Sequence, residues 1–256
     1  MTHSFIDIDG NTFIGEQAQE LLKETNDSRF LTKDGIVKVD GARWKVAQEY
    51  ERKTWMERNL SATEDRNREH FKRFDGYKTI AGMQFDQAIE IGCGPFTNLK
   101  YIIPFIYTNE IILSDPLIME YKNLPSCSYK DHRLSGRIIY GMSWWPIEED
   151  RKALQLHDLV VMINVLEHCQ DAEKAFTNVY NILNMGGVFV FADVCFESNF
   201  IEDFVPTHYD AGHPLRLSRE FVEEKLSHYK SMYVKWFFDL YGQPNREDIY
   251  YIGRKM

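Results

Sequence analysis

The stretch AIEIGCGPFT, residues 88–97, runs apolar residues into an acid, then into Gly-x-Gly. Glycines at such a turn let the backbone approach a ligand closely. A dinucleotide turn wants a third glycine, as G-x-G-x-x-G, and Thr97 stands in its place. Glu90 ends the apolar run directly before the turn. A carboxylate there would repel a pyrophosphate and attract an ammonium group. Asp115 closes the run IILSDP, where a strand-end acid can accept both hydroxyls of a ribose. Three histidines are candidates for moving a proton near neutral pH. His168 lies in NVLEHCQD, and His208 and His213 flank Asp210 in THYDAGHPLRL. His208, Asp210 and His213 are also metal-ligand types. Their loop spacing is not diagnostic, and no metal is expected.

These residues need a frame to hold them. From residue 86, apolar runs alternate with helical segments: QAIEI, EIILSD, GRIIYG, HDLVVMIN and GGVFVFAD. Runs without strict alternation suit strands buried on both faces, and strand–helix alternation implies a parallel sheet between helices. The segment 171–185 is predicted as a helix, capped by Asp171 and stopped at Gly186-Gly187. LSREFVEEKLSHY is predicted as another, capped by Ser218. The runs MYVKWFFDLYG and DIYYIGRKM, joined by QPNRE, predict a hairpin-like end with an antiparallel element at the edge. Glu90, Asp115, His168 and the 208–213 loop then fall on one edge of the sheet, the carboxyl ends of its strands.

Before this frame, residues 1 to about 41 read as short apolar pieces broken by Asp-Gly turns. IDIDGN resembles the start of a calcium loop, but its glycine comes one position early and the twelfth position holds no Glu. Residues 42–60 and 63–80 read as helices. Trp44, Gln48, Glu51 and Trp55 share one face of the first, at i, i+4, i+7 and i+11. That face of aromatic and polar groups would suit a substrate lid. The expected organisation is an N-terminal extension and helical cap over 1–82 and a core over 83–256, compact as one domain.

Composition bounds the partners. The chain has 256 residues, 44% hydrophobic and 27% charged, with a net charge of -9. That balance fits a globular protein and argues against nucleic acid held through its phosphates. No apolar run reaches the ~18–20 residues that span a bilayer, so no membrane insertion is expected. MTHSFIDIDGN lacks the features of a secretory signal. The four cysteines make no C-x-x-C pair, which points to a reducing cytoplasm. The sequence leaves the oligomeric state open.

EIGCGP, LSDP, DLVVMINVLEHCQD and LNMGGVFVFAD, in that order, resemble the successive motifs of class I S-adenosylmethionine-dependent methyltransferases. The small-molecule group that includes the ubiquinone-pathway O-methyltransferases is the nearest in flavour. The likeness covers about residues 84–195 and weakens from 196 to 256. It implies an α/β, Rossmann-like, doubly wound and mostly parallel seven-stranded sheet with an antiparallel edge strand. It implies S-adenosylmethionine as cofactor, which suits the charge argument at Glu90. Its carried-over contacts are Glu90, Gly92, Cys93, Gly94 and Pro95 at the methionine part, Asp115 and Pro116 at the ribose, and Asn164 beside the sulfonium. GMSWWP stands where the family has an acid near adenine, so Ser143 would replace it and Trp144 would pack on the ring. Phe96 departs from the family's third glycine and is expected to point away from the cofactor, into the layer beneath.

The expected activity is methyl transfer to O or N of a small polar acceptor, with a sugar, sugar nucleotide or glycan precursor favoured and a role in polysaccharide biosynthesis. His168 and His213 are the expected catalytic residues. Trp44, Gln48, Glu51, Trp55, His208 and Asp210 are the expected acceptor contacts. Three alternatives stay open: a methyltransferase acting on protein or RNA, a nicotinamide-dependent oxidoreductase, and a module that binds S-adenosylmethionine without turnover.

Overall fold

The computed structural model describes residues 2–25, 31–58, 67–134, 138–143 by their main chain, 146–148, 156–238, 240 and 245–256. The N-terminal part holds β1 (Ser4–Ile6), β2 (Thr12–Ile14), α1 (Glu16–Glu24), β3 (Leu31–Thr32), β4 (Gly35–Ile36), α2 (Gly41–Lys53) and α3 (Asn67–Arg73). The sheet region follows with β5 (Gln84–Ile91), α4 (Leu99–Ile102), β6 (Tyr107–Ser114), α5 (Ile118–Tyr121), β7 (Ile138–Ser143), β8 (His157–Ile163), α6 (Ala172–Ile182) and β9 (Leu183–Phe196). The chain ends through α7 (Ser198–Phe204), β10 (His208–Asp210), β11 (Arg216–Leu217), α8 (Arg219–Leu226), β12 (Tyr229–Phe238) and β13 (Arg246–Lys255).

Seven strands form the central sheet in the order β12-β13-β9-β8-β5-β6-β7. β5 pairs in parallel with β6 on one side and β8 on the other. The order therefore reverses at β5, and its carboxyl end is the switch point where an open α/β sheet leaves a crevice. The alternation of strand side chains explains the three layers. Ile89, Ile91, Val160, Met162, Phe189 and Phe191 face one core with α6 and α8 residues. Ala88, Leu159, Val161, Ile163, Val188 and Val190 face the other, against Phe74, Tyr77, Leu99 and Ile102. Leu159, Val160, Val161 and Met162 have no exposed surface. Burying each of them contributes about 1.5–3 kcal/mol, which fixes β8 and the loop that follows it. The seven-stranded, mostly parallel sheet is the one the sequence motifs imply.

Several local expectations are corrected. The reversed strand is β13, antiparallel to both β9 and β12, so it sits one place in from the edge. β13 is buried along most of its length, while the edge strand β12 is half-exposed. α6 ends at Ile182, before the glycines, because Leu183 is fully buried as the first residue of β9, opposite His157. α2 ends at Lys53 and continues as one wide turn over Thr54–Arg58. The second expected helix is α3, followed by a 3-10 segment over Asp75–Ile80.

The N-terminal part is more ordered than turns alone. Asp7 accepts hydrogen bonds from the backbone of Asp9 and Asn11, so IDIDGN is turn chemistry. α1, EQAQELLKE, buries Ala18 and rests Leu21 and Leu22 on the small cluster of Phe5, Tyr209 and Ala211. The loop read at 208–217 contains two strands. β10 pairs in parallel with β1, and β11 pairs with β4. These two small sheets stitch residues 4–36 onto the functional edge. Among the described residues no helix is long and apolar enough to cross a membrane.

Both sequence-predicted caps form. Asp171 accepts from the Lys174 N–H at 3.1 Å, and Ser218 from the Phe221 N–H at 3.1 Å. Ser218 is fully buried, and its own N–H donates to the Asp34 carbonyl. Ser218→Ala should cost about 1 kcal/mol, read as a shifted urea midpoint with an unchanged slope.

Candidate functional site

β5 ends at Ile91, and the chain turns through Gly92 (φ 63°) and Gly94 (φ 51°). Both lie in the left-handed region that other residues adopt at a cost. The two glycines differ in surroundings. A Cβ on Gly92 would lie 2.4 Å from a Val165 methyl, whereas one on Gly94 would meet nothing within 4 Å. Gly92 lets the turn pack against the β8 loop, and Gly94 leaves open room on the cleft side. The cleft is bounded by this turn, by Asp115 and Leu117 after β6, by Asn164 and His168 after β8, and by α2 above. Asn164 holds φ 58° and donates its N–H to the Ala192 carbonyl at 2.7 Å. Asn tolerates this conformation better than bulkier residues.

Two buried carboxylates hold the turn. Glu90 has no exposed surface and does not line the cleft. It accepts from the backbone N–H groups of Asn98 (2.7 Å) and Leu99 (3.2 Å), from the Asn98 amide and from the Thr97 hydroxyl. Burial pushes it up to about 7 against the pull of these donors. The expectation that Glu90 meets an ammonium is therefore not met by its position; its lone pairs serve the turn. Thr97, where a dinucleotide turn has glycine, is one of the groups that Glu90 needs. Asp115 does line the cleft. One of its oxygens accepts from Gly94 N–H at 3.0 Å and the other from Leu117 N–H at 2.8 Å. Burial raises it to about 6. A carboxylate offers about four acceptor positions, so each oxygen keeps one for a ligand.

Cys93, Pro95 and Pro116 also line the cleft. So does Phe96, against expectation. Its ring stands edge-on to Trp55 at 5.7 Å, and its carbonyl accepts from the Asn67 amide. Phe96 thus meets the cap. Trp44, Gln48, Glu51 and Trp55 all border the same cleft. The tryptophan N–H groups are engaged, Trp44 to the His168 carbonyl at 3.2 Å and Trp55 to Glu51 at 2.9 Å. Trp44 thus ties the cap to the loop after β8, while Trp55 bonds within the cap and meets the glycine turn only through the Phe96 ring. The Ser143 side chain and Trp144 lie outside the described residues; the Ser143 main chain pairs with Ser114 at the end of β7.

The remaining histidines gather behind His168. His168 Nδ1 lies 3.0 Å from the Gly212 carbonyl. A carbonyl can only accept, so Nδ1 carries the proton and Nε2 of the neutral ring carries a lone pair. The His213 ring is 4.6 Å away, with Nδ1 at 2.7 Å from Asp210 and Nε2 at 3.6 Å from Glu167. Arg216 reaches Glu167 at 3.7 Å and Asp210 at 3.4 Å. Burial works against a charge on His213, but Glu167 and Asp210 outweigh it and raise it to about 9. The same charges hold Glu167 and Asp210 below the usual carboxylate range, though burial alone would raise them. Glu167, His168 and His213 bring one ligand atom each within 4.8 Å of one another. His208 is apart from this group. Its Nδ1 is bonded to Thr207 and the Phe204 carbonyl, and its ring stacks on Phe204 at 3.7 Å. A metal shared by His208, Asp210 and His213 is not supported by that arrangement.

Sequence reasoning missed Glu167, Asp193 and Arg216. Glu167 sat beside His168 in LEH and was passed over. Asp193 ends the apolar run GGVFVFAD, as Glu90 ends its own, and that parallel was the available signal. It is buried and accepts from the N–H groups of Val165 (2.9 Å), Leu166 (2.7 Å) and Val194 (2.9 Å). Burial, then the nearby Glu167 charge, pushes it up to about 7. A second cavity of about 580 Å³ lies beyond the pair, lined by Glu167, His213, Asp210, His208 and a row of phenylalanines.

Comparison with known proteins agrees with this architecture. Residues 47–242 match the family described as "Methyltransferase domain". Among solved structures, the N-methyltransferase NodS from Bradyrhizobium japonicum WM9, bound to S-adenosylhomocysteine, aligns with TM-score 0.56 and 16% identity, over 79% of this chain and 97% of its own. YcgJ from Bacillus subtilis aligns with TM-score 0.54 and 14% identity, over 73% and 98%. The [4+2]-cyclase SpnF aligns with TM-score 0.58 and 12% identity, over 83% and 96%. No curated protein matches by sequence. The structural likenesses carry the fold alone, and a cyclase among them shows that the fold does not dictate the reaction. The family match spans most of the chain, and the chain belongs to the methyltransferase-domain family. It is a class I methyltransferase that uses S-adenosylmethionine and yields S-adenosylhomocysteine. The donor set fits that cofactor: an open Gly94, spare acceptor positions on Asp115, and apolar walls at Leu117 and Ile147.

The two glycines should separate stability from binding. Gly92→Ala should destabilise the fold by about 3 kcal/mol, combining φ strain with a clash. Gly94→Ala should cost about 1 kcal/mol of strain yet weaken S-adenosylhomocysteine binding at least tenfold. Urea unfolding and calorimetric titration of both variants would check this. His213 gives a pH expectation. Its folded value stands above its unfolded one, so its contribution is complete below pH ~6.5 and is lost as pH rises through about 9. With its side chain 29% exposed, the wild-type advantage over His213→Gln should shrink by about 2 kcal/mol across that window, measured by denaturation at pH 6 and pH 9.5.

Proposed function

We propose that this enzyme transfers the methyl group to an oxygen or nitrogen of a small polar metabolite, in the cytoplasm, with a sugar, sugar nucleotide or glycan precursor as the acceptor class. The observation that carries this reading is that one cleft joins the Gly92–Gly94 turn, the Asp115 carboxylate and His168. Gly94 admits the methionine part, Asp115 takes the ribose hydroxyls, and Asn164 stands beside the reacting end. When bound, S-adenosylmethionine supplies a methyl group already activated by its sulfonium. The protein's part is then to hold the acceptor in line, exclude water and remove a proton. His168 is oriented for the last task. Gly212 fixes its Nδ1–H, so Nε2 can take the proton of an acceptor hydroxyl. His213 is placed differently. Flanked by Glu167 and Asp210, it is a cation near neutral pH, and it orients the acceptor electrostatically. The N–H of Trp44, bonded to the His168 carbonyl, holds the cap down on the cleft, which keeps water out. Sugar chemistry is supported by the polar groups Gln48 and Glu51 beside the aromatic surfaces of Trp44 and Trp55. The four cysteines, all free, suit a reducing compartment.

Calorimetry with S-adenosylhomocysteine and with NADH tests the cofactor site directly. Tight binding of the first alone is expected, and Asp115→Ala should weaken it by tenfold or more. NADH binding in its place would sink the reading. With an acceptor in hand, His168→Gln should lower kcat by about 10²- to 10⁴-fold and leave S-adenosylhomocysteine affinity within threefold.

A further inference from the structure

We propose that the acceptor's nucleophile is an amine, and that Glu51 holds its ammonium form beside the rings of Trp44 and Trp55. The inference rests on the reading that the first cleft holds S-adenosylmethionine. Position comes first. The His168–His213 pair is the wall between the cleft and the second cavity, and the two spaces share no lining residue. An acceptor that touches the methyl group therefore lies in the first cleft, under the cap.

The charge of that cleft has one sign. Among the described residues that line it none is a lysine or arginine, and three are carboxylates: Glu51, Asp115 and Glu148. Two of the three are committed. Asp115 holds the Gly94 and Leu117 N–H groups and faces the ribose. Glu148 is buried and accepts from the Gln170 N–H at 2.6 Å. Glu51 differs. Its Oε2 accepts from the Trp55 N–H at 2.9 Å. Its Oε1 lies 3.6 Å from His168 Nδ1, whose proton goes to the Gly212 carbonyl. Oε1 thus keeps its acceptor positions, on a side chain only 19% exposed. A carboxylate so enclosed is stabilised by a cation.

The rings around it favour the same partner. Trp44 and Trp55 border the cleft with Glu51, and both indole N–H groups are engaged. What they offer a ligand is ring surface, which attracts a cation. Phe96, edge-on to Trp55 at 5.7 Å, extends that surface. An idle carboxylate oxygen beside indole rings selects a group that donates hydrogen bonds and carries positive charge. An ammonium does both, and a hydroxyl only the first. Within the proposed acceptor class this is an amino sugar. Glu51 also sets the nitrogen next to His168. The ammonium gives one proton to His168 Nε2. The freed nitrogen lone pair then forms the N–C bond as the S–C bond breaks, and the electrons of that bond stay on sulfur in S-adenosylhomocysteine. The product is a methylated ammonium, and the proton on His168 leaves to solvent.

The test is a titration of protein loaded with S-adenosylhomocysteine, read by ligand-observed NMR. The probes are glucosamine against N-acetylglucosamine and glucose, and cyclohexylamine against cyclohexanol. Each amine should bind at least tenfold more tightly than its neutral partners, and the gap should narrow in 0.3 M salt. Glu51→Gln keeps the side chain's shape and removes its charge. It should bring amines and neutral probes within about twofold of one another and leave S-adenosylhomocysteine affinity within about twofold of wild type, with circular dichroism confirming the fold. Glucosamine turned over with S-adenosylmethionine should carry the methyl group on nitrogen. Equal binding of amines and neutral probes, no binding of either amine, or a methyl group on oxygen would overturn the proposal. So would a folded Glu51→Gln that loses S-adenosylhomocysteine affinity, because Glu51 would then hold the cofactor's own ammonium. If Glu51→Gln does not fold, the probe pairs and the salt series decide. Failure of S-adenosylhomocysteine to bind the wild type would overturn the cofactor reading instead, while amine preference in the unloaded protein would still be measured.

Discussion

The site depends on a carboxylate that a ligand in the cleft does not meet. Glu90 is fully buried at the end of the central strand and accepts four hydrogen bonds from residues 97–99. Left unpaired, those backbone N–H groups would each cost about 1–3 kcal/mol. With them paired, a glycine turn that would otherwise sample many conformations is fixed in one. Asp115 pins the other side of the same turn through Gly94. Asp193 does the equivalent for the β8 loop, through Val165 and Leu166. Three acids towards the carboxyl ends of β5, β6 and β9 thus use their oxygens on backbone N–H groups. The recognition surfaces are rigid because charge is spent on holding loops.

The same logic gives the histidine wall its polarity. Glu167 and Asp210 would be costly as isolated buried anions. His213 and Arg216 lie between them and offset that cost, which makes His213 a cation. Two histidines 4.6 Å apart therefore have different chemistry because their Nδ1 partners differ, a carbonyl for one and a carboxylate for the other. Sequence alone offered both as bases. Only the partner across space separates them, and those partners are 44 and 3 residues away in the chain.

Much of the frame was legible because it is written in local patterns. Seven apolar runs gave seven strands, and Asp171 and Ser218 capped the helices that their positions suggested. What was lost is what depends on pairing at a distance. β1 and β10 are three residues each and have no pattern of their own; they exist because they pair with each other. α1 does carry an apolar stripe, Ala18, Leu21 and Leu22, but it lies in a stretch read as turns. The place of β13 follows from its burial beside β9, and a hairpin read from sequence cannot say which of its strands faces the sheet. At the site, Gly92, Gly94, Asp115, Asn164 and His168 were found from motif and spacing, and they share one cleft. Phe96 was misdirected because its ring partner, Trp55, comes from the turn after α2, and Glu90 because a charge argument cannot tell a ligand from nearby N–H groups.

The division into two cavities also explains why the N-terminal part is attached as it is. β1 brings Ser4 and Ile6 to the second cavity, and α2 brings Trp44 and Glu51 to the first. Arg43, at the start of α2, donates to the Ala211 and Asp210 carbonyls, beside the very residues that hold His213. One helix therefore covers the cleft with one face and, through Arg43, fixes the loop that shapes the wall behind it. Opening α2 to admit a ligand would disturb both at once. The cover of the cleft and the 210–213 loop are therefore joined in the structure through Arg43.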